Sequence, residues 1–253
     1  MAQRGDAFGL ALRDWSRGGT DPEVYERDDG FVDVGAGPDL FMAGPRFWPA
    51  AERRAMRYVR GTVADLGCGG GRVALHLQDR GFDVTGVDAS ALALRVARDQ
   101  GLKRTEHVTL SAFAGHVAIF DTVVLFGNNL GMFATPERLR RTLRQWAAVA
   151  APGTRILAES TRPASGHAPG LDGDYMARNR RLGRPPGQVR LRVRYRQWAS
   201  PWFDWLFVAP ADMRAIVEGT GWDVRAVVEP EAGGPYVALW EHARRSSPRP
   251  VRD

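Results

Sequence analysis

"VADLGCGGGRVALHLQDRGFDVTGVDAS", residues 63–90, holds the densest glycine signal in the chain: Gly67, Gly69, Gly70 and Gly71 fall within five positions. A short apolar strand pattern, "TVADLG" (62–67), runs into these glycines. "GRVALHLQDRG" (71–81) follows as a helix, with Val73, Leu75 and Leu77 ahead of a stop at Gly81, and "DVTGVD" (83–88) reads as a second strand. Strand, glycine turn, helix and strand begin a parallel α/β sheet. In such sheets ligands bind outside the carboxyl ends of the strands. Asp65 stands just before the loop and Asp88 closes the second strand, so the question is which ligand suits both carboxylates.

The same rhythm extends in both directions. Upstream, "PAAERRAMRYVRG" (49–61) starts at Pro49 and stops at Gly61, as a helix does. Downstream come a helix "SALALRVARDQG" (90–101), a strand "HVTL" (107–110) and an apolar strand "DTVVLFG" (121–127). "TPERLRRTLRQWAAVAAPG" (135–153) is a helix with Thr135 as N-cap and Pro136 in its first turn, followed by a strand "TRILAES" (154–160). The expected core is therefore a doubly wound α/β sheet. The pattern then breaks. "TRPASGHAPGLDGDYMARNRRLGRPPG" (161–187) is loop-like, with a short helix around Met176. "QVRLRVRYRQW" (188–198) alternates, Arg190, Arg192, Arg194 and Arg196 on one face and Leu191, Val193 and Tyr195 on the other. It pairs with "WFDWLFV" (202–208) as a hairpin across "ASP". A helix (210–221) and two strands (223–229 and 235–242) complete the chain, the last two antiparallel because only "EPEAGGP" joins them.

We expect one domain: a cap segment 1–48 of irregular turns, a cofactor-binding core 49–160, an inserted acceptor-side segment 161–208, the end of the core 209–242, and a disordered tail 243–253.

Composition narrows the setting. No apolar run approaches the ~20 residues that cross a bilayer, so no membrane partner is expected. Cys68 is the one cysteine, which rules out an intramolecular disulfide and speaks against a structural zinc site. The N-terminus has no signal-peptide pattern, and a cytoplasmic location is expected. The net charge of +6 raises nucleic acid as a partner. Yet Lys103 is the single lysine among 35 basic residues, a ratio that fits GC-rich coding better than selection for phosphate binding.

Glycines alone leave the ligand open. The loop lacks the Gly-Lys-Ser/Thr of a nucleoside triphosphate loop, while one register (Gly69, Gly71, Ala74) satisfies a relaxed dinucleotide fingerprint. Asp65 weighs against the dinucleotide, because a buried carboxylate there opposes a pyrophosphate at the helix N-terminus and favours an ammonium or sulfonium. The pattern Asp65-x-Gly67-x-Gly69-x-Gly71, followed by Asp88, resembles the class I S-adenosylmethionine-dependent methyltransferases over roughly residues 60–160. That resemblance implies a Rossmann-like, doubly wound seven-stranded sheet, mostly parallel with an antiparallel last strand. It implies S-adenosyl-L-methionine as cofactor. Gly67, Cys68, Gly69 and Gly71 would pass beneath its methionine part, with Asp65 serving the amino group. Asp88 would take both ribose hydroxyls, and Ala89 would lie against the adenine. The acidic residue that many members place after the third strand is missing here. Ser111 and Ala112 stand in its region.

At the end of the fourth strand, "LFGNNLG" (125–131) differs from the Asn-Pro-Pro-Tyr-type motif of base-amino methylases. Phe126 and Asn128 are expected to line the methionine end, with Asn129 near the acceptor. The acceptor expected is a small molecule, bound by the aromatic-rich insert with Trp198, Trp202, Phe203 and Trp205. Glu159 and His167 are the candidate bases for its proton. RNA or DNA methylation through the arginine face and a non-catalytic cofactor-binding module stand as alternatives. Neither the methylated atom nor the oligomeric state is legible.

Overall fold

The computed structural model describes residues 5–165, 168, 170–230 and 234–243. In chain order the helices are α1 (Ala7–Trp15), α2 (Pro38–Phe41), α3 (Ala50–Ala55), α4 (Arg72–Asp79), α5 (Ala91–Asp99), α6 (Pro136–Val149), α7 (Gly173–Arg181) and α8 (Pro210–Val217). The strands are β1 (Val24–Arg27), β2 (Val32–Val34), β3 (Thr62–Leu66), β4 (Asp83–Asp88), β5 (Thr105–His107), β6 (Thr122–Leu125), β7 (Arg155–Thr161), β8 (Gln188–Tyr195), β9 (Trp198–Ala199), β10 (Phe203–Leu206), β11 (Trp222–Val228) and β12 (Pro235–His242).

Seven strands form the main sheet in the order β11-β12-β7-β6-β3-β4-β5. β3, β4, β5, β6 and β7 are parallel, and β12 runs antiparallel to both β7 and β11. The sheet is the expected α/β one, with the antiparallel last strand. All four residues of β6 are buried, as a strand covered on both faces requires. One apolar layer gathers Phe113, Phe133, Trp146, Ile156 and Trp240 on the α6–α8 side. The other gathers Trp48, Ala51, Val73, Leu77 and Leu239 on the α3–α4 side. Local chemistry sets the helix starts: the Thr135 hydroxyl accepts the Arg138 N–H at α6, and the Ser90 hydroxyl accepts the Ala93 N–H at α5.

The second sheet corrects two expectations. Its order is β10-β8-β1-β2, with β9 also on β8, and every pair is antiparallel. Residues 1–48 are therefore more than irregular turns. They supply α1 and the strands β1 and β2, and β1 pairs with β8 from Val24↔Arg194 to Arg27↔Leu191. Strands of four and three residues carry too little alternation to be read alone, and β8, more than 160 positions away, defines them. The hairpin does not turn across "ASP" either. It turns at Arg196 (φ 51) and Gln197, where Tyr195 faces Trp198. Between β9 and β10 the pairing slips by one residue, and Ser200–Trp202 absorb the slip as a bulge. A smaller correction concerns β5, which begins earlier than "HVTL" because Thr105, Glu106 and His107 pair with Gly86, Val87 and Asp88. Of the tail 243–253, only Ala243 lies within the described residues.

Candidate active site

The glycine loop leaves β3 and enters α4 through backbone that only glycine adopts without strain. Gly67 has φ 77° and Gly71, the residue before α4, has φ 93°. Space forbids a side chain at Gly67 as well: a Cβ there would stand 2.5 Å from Asn129 Nδ2. The N–H groups of Gly67 and Cys68 donate to the Val87 carbonyl at 2.8 and 3.1 Å, tying the loop to β4. Asn129 adds a strap from the other side, its Nδ2 donating to the Leu66 and Gly67 carbonyls at 3.1 and 2.9 Å. Sequence reasoning aimed Asn129 at the acceptor; the structure spends its amide on the loop. Cys68 is buried with its thiol pushed up, by burial first, and it fills the space beside Gly86. That is a packing role.

The two carboxylates are used differently. Asp65 is buried behind the loop and its Oδ2 accepts the Ala74 N–H at 3.0 Å. Burial pushes it up to about 7, against the opposing pull of the Arg72 guanidinium and that N–H. Asp88 keeps part of its surface open. Its Oδ1 accepts the Ser90 N–H at 2.8 Å and its Oδ2 accepts the Gly69 N–H at 2.9 Å. A carboxylate has about four acceptor sites, so each oxygen retains capacity for a further donor. Burial pushes this carboxyl up, and the two backbone N–H groups work against that.

Around Asp88, Ala89 is exposed and its carbonyl lies 2.9 Å from His107 Nε2. Ser111 and Ala112 are exposed beyond β5, where the Ser111 hydroxyl lies 3.1 Å from that of Thr109. Phe126 turns away from the loop into the apolar layer of Trp48, Ala51 and Val59. Asn128 adopts φ 60° and accepts the Thr161 hydroxyl at 2.8 Å.

Glu159 lies on the α3–α4 side of β7, within a closed charge cluster. Its Oε2 accepts the Gly127 N–H at 2.6 Å, and burial, with Glu52 next to it, pushes the carboxyl well up. Arg72 forms a two-pronged pair with Glu52 at 2.7 and 2.9 Å and sits 4.7 Å from the centre of the Trp48 ring. Glu159 is 1% exposed, so the structure keeps this base candidate from open space. His167 lies outside the described residues.

The sequence suggested a cap from residues 1–48 but not which side chains stand over the loop. Asp6 accepts the Gly9 N–H at 2.9 Å as the N-cap of α1 and the Ser90 hydroxyl at 2.5 Å, pinning α1 beside Asp88. Phe8 and Leu12 of α1 stand over Gly69, and Met42 over Gly70. Trp205 of β10 lies directly against Gly131. Beside it opens a cleft of about 390 Å³ lined by Met132, Arg138, Arg190, Trp202, Phe203 and Trp205. Met132 also reaches back to Gly67 and so joins the cleft to the loop. The arginines of β8 and its turn are paired: Arg190 with Asp204, Arg192 and Arg194 with Glu26, and Arg196 with Asp14 and Asp21.

A seven-stranded sheet of this order, with its glycine loop after β3 and a carboxylate ending β4, defines the Rossmann-like fold of class I S-adenosylmethionine-dependent methyltransferases. Residues 63–153 match the family model described as a methyltransferase domain. Over 86 residues the chain is 33% identical to a protein named as a methyltransferase in Geobacillus sp. (strain WCH70), covering 32% of this chain and 34% of that one. Over 106 residues it is 31% identical to 2-heptyl-1-hydroxyquinolin-4(1H)-one methyltransferase of Mycobacteroides abscessus, covering 39% and 45%. The chain thus spans well under two thirds of the length of these relatives. A crystal structure of an S-adenosylmethionine-dependent methyltransferase from Bacteroides fragilis with S-adenosyl-L-homocysteine superimposes with a TM-score of 0.80. It is 24% identical, with 96% of this chain and 98% of that one covered. Residues 63–153 are thus similar to methyltransferase domains, and the chain shares the Rossmann-like fold of S-adenosylmethionine-dependent methyltransferases. No helix among the described residues is long and apolar enough to cross a membrane.

Proposed function

We propose that this protein transfers a methyl group from S-adenosylmethionine to a small-molecule acceptor. The observation that carries the reading is the roofed site: α1 and Met42 cover the glycine loop, and the adjoining cleft has a volume of about 390 Å³, the scale of a metabolite pocket. The pairing of every arginine of β8 and its turn supports the same reading, because it leaves that face without a free cationic track for a phosphate backbone. In this reading the chain is one domain, and residues 1–48 and 161–208 together form the acceptor-side cap.

The residues present fit the cofactor. Asp88 has acceptor capacity left on both oxygens for a ribose diol, and the loop from Gly67 to Gly71 is glycine except for Cys68, whose side chain packs against Gly86. When bound, the cofactor supplies an electrophilic methyl group on a sulfonium. The protein's part is to orient the acceptor's lone pair in line with the carbon–sulfur bond and to exclude water. The acceptor's proton would leave to a base or to water. Glu159 acts as a positioning residue in this scheme, holding the β6 loop through the Gly127 N–H. His167 is the remaining side-chain candidate for the proton. His167→Ala is expected to lower kcat without changing affinity for the cofactor.

Calorimetry with S-adenosylmethionine and S-adenosylhomocysteine tests the reading, followed by mass-shift assays on candidate metabolites. Failure of both ligands to bind at micromolar levels overturns it. Binding to single-stranded RNA that falls steeply with salt overturns the small-molecule part.

Asp65 predicts how cofactor binding depends on pH. Its carboxyl keeps its proton up to about 7 in the free protein. A cationic ligand over the loop favours the charged form, so binding releases a proton. Affinity is expected to rise as pH climbs to about 7 and to level off above it. Calorimetry in two buffers of different ionisation enthalpy reads the proton directly. Asp65→Asn should abolish both the release and the slope.

A further inference from the structure

The cleft beside Trp205 opens at the edge of the second sheet. β10 ends that sheet, so another strand takes only one of its sides. Successive residues of a strand point to opposite faces, yet Phe203, Asp204 and Trp205 all line the cleft. The cleft therefore follows the edge of β10 and draws side chains from both faces. The turn Asn129–Phe133 and the start of α6 supply Met132, Ala134 and Arg138 to its lining.

A strained bend connects that turn to α6. Ala134 has φ 66° and ψ −45°, and the Thr135 N–H donates to the Phe133 carbonyl at 2.7 Å. This is the rare form of the three-residue γ-turn, in a region that residues with side chains avoid. Strain of this kind persists only where the surrounding structure holds it, and it clusters at ligand sites. α6 leaves the bend with its third residue, Arg138, on the cleft.

The charges in the cleft do not balance. Its lining holds two guanidiniums, Arg138 and Arg190, against one carboxylate, Asp204. Asp204 stands opposite Arg190 in the ladder and pairs with it at 3.5 Å. Arg138 is half-buried and has no ion pair among the described residues. Arg140, two positions on, is spent on the Ala215, Ile216 and Glu218 carbonyls at the end of α8. Around these charges the lining is aromatic, with Phe203 edge-on to Trp205 at 6.2 Å. Met132 separates the cleft from Gly67, so an occupant is one side chain away from the glycine loop.

We propose that Arg138 anchors a carboxylate of the acceptor, and that the acceptor of this protein is an aromatic acid. The ring lies against Phe203, Trp205 and Met132, and the carboxylate takes the guanidinium that the fold leaves unpaired. A guanidinium meets a carboxylate with two parallel N–H groups, a geometry that neither an alcohol nor an amine can use. The surplus positive charge of the lining also disfavours an amine. The inference rests on the methyltransferase reading. The cofactor carries a carboxylate too, at its methionine end, and the test separates the two sources.

The full chain is saturated with S-adenosylhomocysteine and titrated by calorimetry with 3-phenylpropionate, 3-phenylpropan-1-ol and phenethylamine. The carboxylate is expected to bind at least about tenfold more tightly than the alcohol, with the amine weakest. Arg138→Gln should erase the preference for the carboxylate and leave both the melting temperature and the affinity for S-adenosylhomocysteine unchanged. Arg138→Lys keeps the charge without the fork and should retain part of the preference. Equal binding of the three probes by the wild type, or binding of none, overturns the proposal, as does an Arg138→Gln variant that keeps the preference. If Arg138→Gln instead weakens S-adenosylhomocysteine, Arg138 serves the cofactor's carboxylate and the acceptor assignment is wrong. Failure of S-adenosylhomocysteine to bind the wild type is a different result, and it removes the methyltransferase reading itself.

Discussion

Asp88→Ala is expected to weaken S-adenosylmethionine binding by roughly 10²- to 10⁴-fold, because a charge-assisted hydrogen bond contributes about 1.5–3 kcal/mol and two are lost. The carboxylate does two things at once. In the proposed reading it holds the ribose hydroxyls, and it anchors the loop through the Gly69 and Ser90 N–H groups at 2.9 and 2.8 Å. Alanine leaves both N–H groups without that partner and frees the loop. Asp88→Asn keeps one acceptor oxygen and should lose less. Calorimetry on the two variants checks the ranking, and cooperative unfolding of both shows that the sheet survives. Equal affinity of the alanine variant and the wild type would mean that the cofactor does not use β4.

The second large effect concerns stability. Arg72→Ala is expected to cost about 3–5 kcal/mol, the usual penalty for removing one partner from a buried ion pair. Arg72 is the cation shared by Glu52, Glu159 and Asp65, and its guanidinium also lies over Trp48. Without it, the acidic groups would face one another in a buried space. Urea denaturation of Arg72→Ala, Glu52→Ala and the double variant checks the claim. The double variant should lose less than the sum of the singles, because removing both charges leaves less unpaired.

The sign of the pH dependence follows from the same cluster. In the unfolded chain Asp65 and Glu159 lose their protons near ordinary carboxylate values. In the folded protein burial holds Asp65 protonated to about 7 and Glu159 well above its usual value. The folded state thus binds more protons through that window, and the stability it gains there is lost as pH rises through it. Arg72→Ala should be more damaging at alkaline than at mildly acidic pH, since the cation matters most once the carboxyls are charged.

Much of the core was readable because its signals are local. Gly67 and Gly71 need a backbone region that other residues avoid, and Thr135 and Ser90 cap the helices that follow them. β12 occupies the residues expected from its apolar pattern. The candidate site was only partly readable. Alternation along β7 could show that Glu159 faces one side of the sheet, but not that Glu52 and Arg72 close that side. Phe126 and Asn128 follow a strand end as expected, yet one belongs to the apolar layer and the other to Thr161.

The sequence by itself determined the nucleotide-cofactor half of this protein: strand, glycine loop, helix, strand, Asp88. Each of these is set by the conformational limits and hydrogen bonding of residues close in the chain. Only the tertiary structure decided what covers that half. β1 exists because β8 lies beside it, and Phe8, Leu12 and Met42 reach over the loop from segments far away in the chain. The full pairing of the β8 arginines arises the same way. Burial and ion pairing are properties of groups brought together across long loops, and no local pattern in the chain records them.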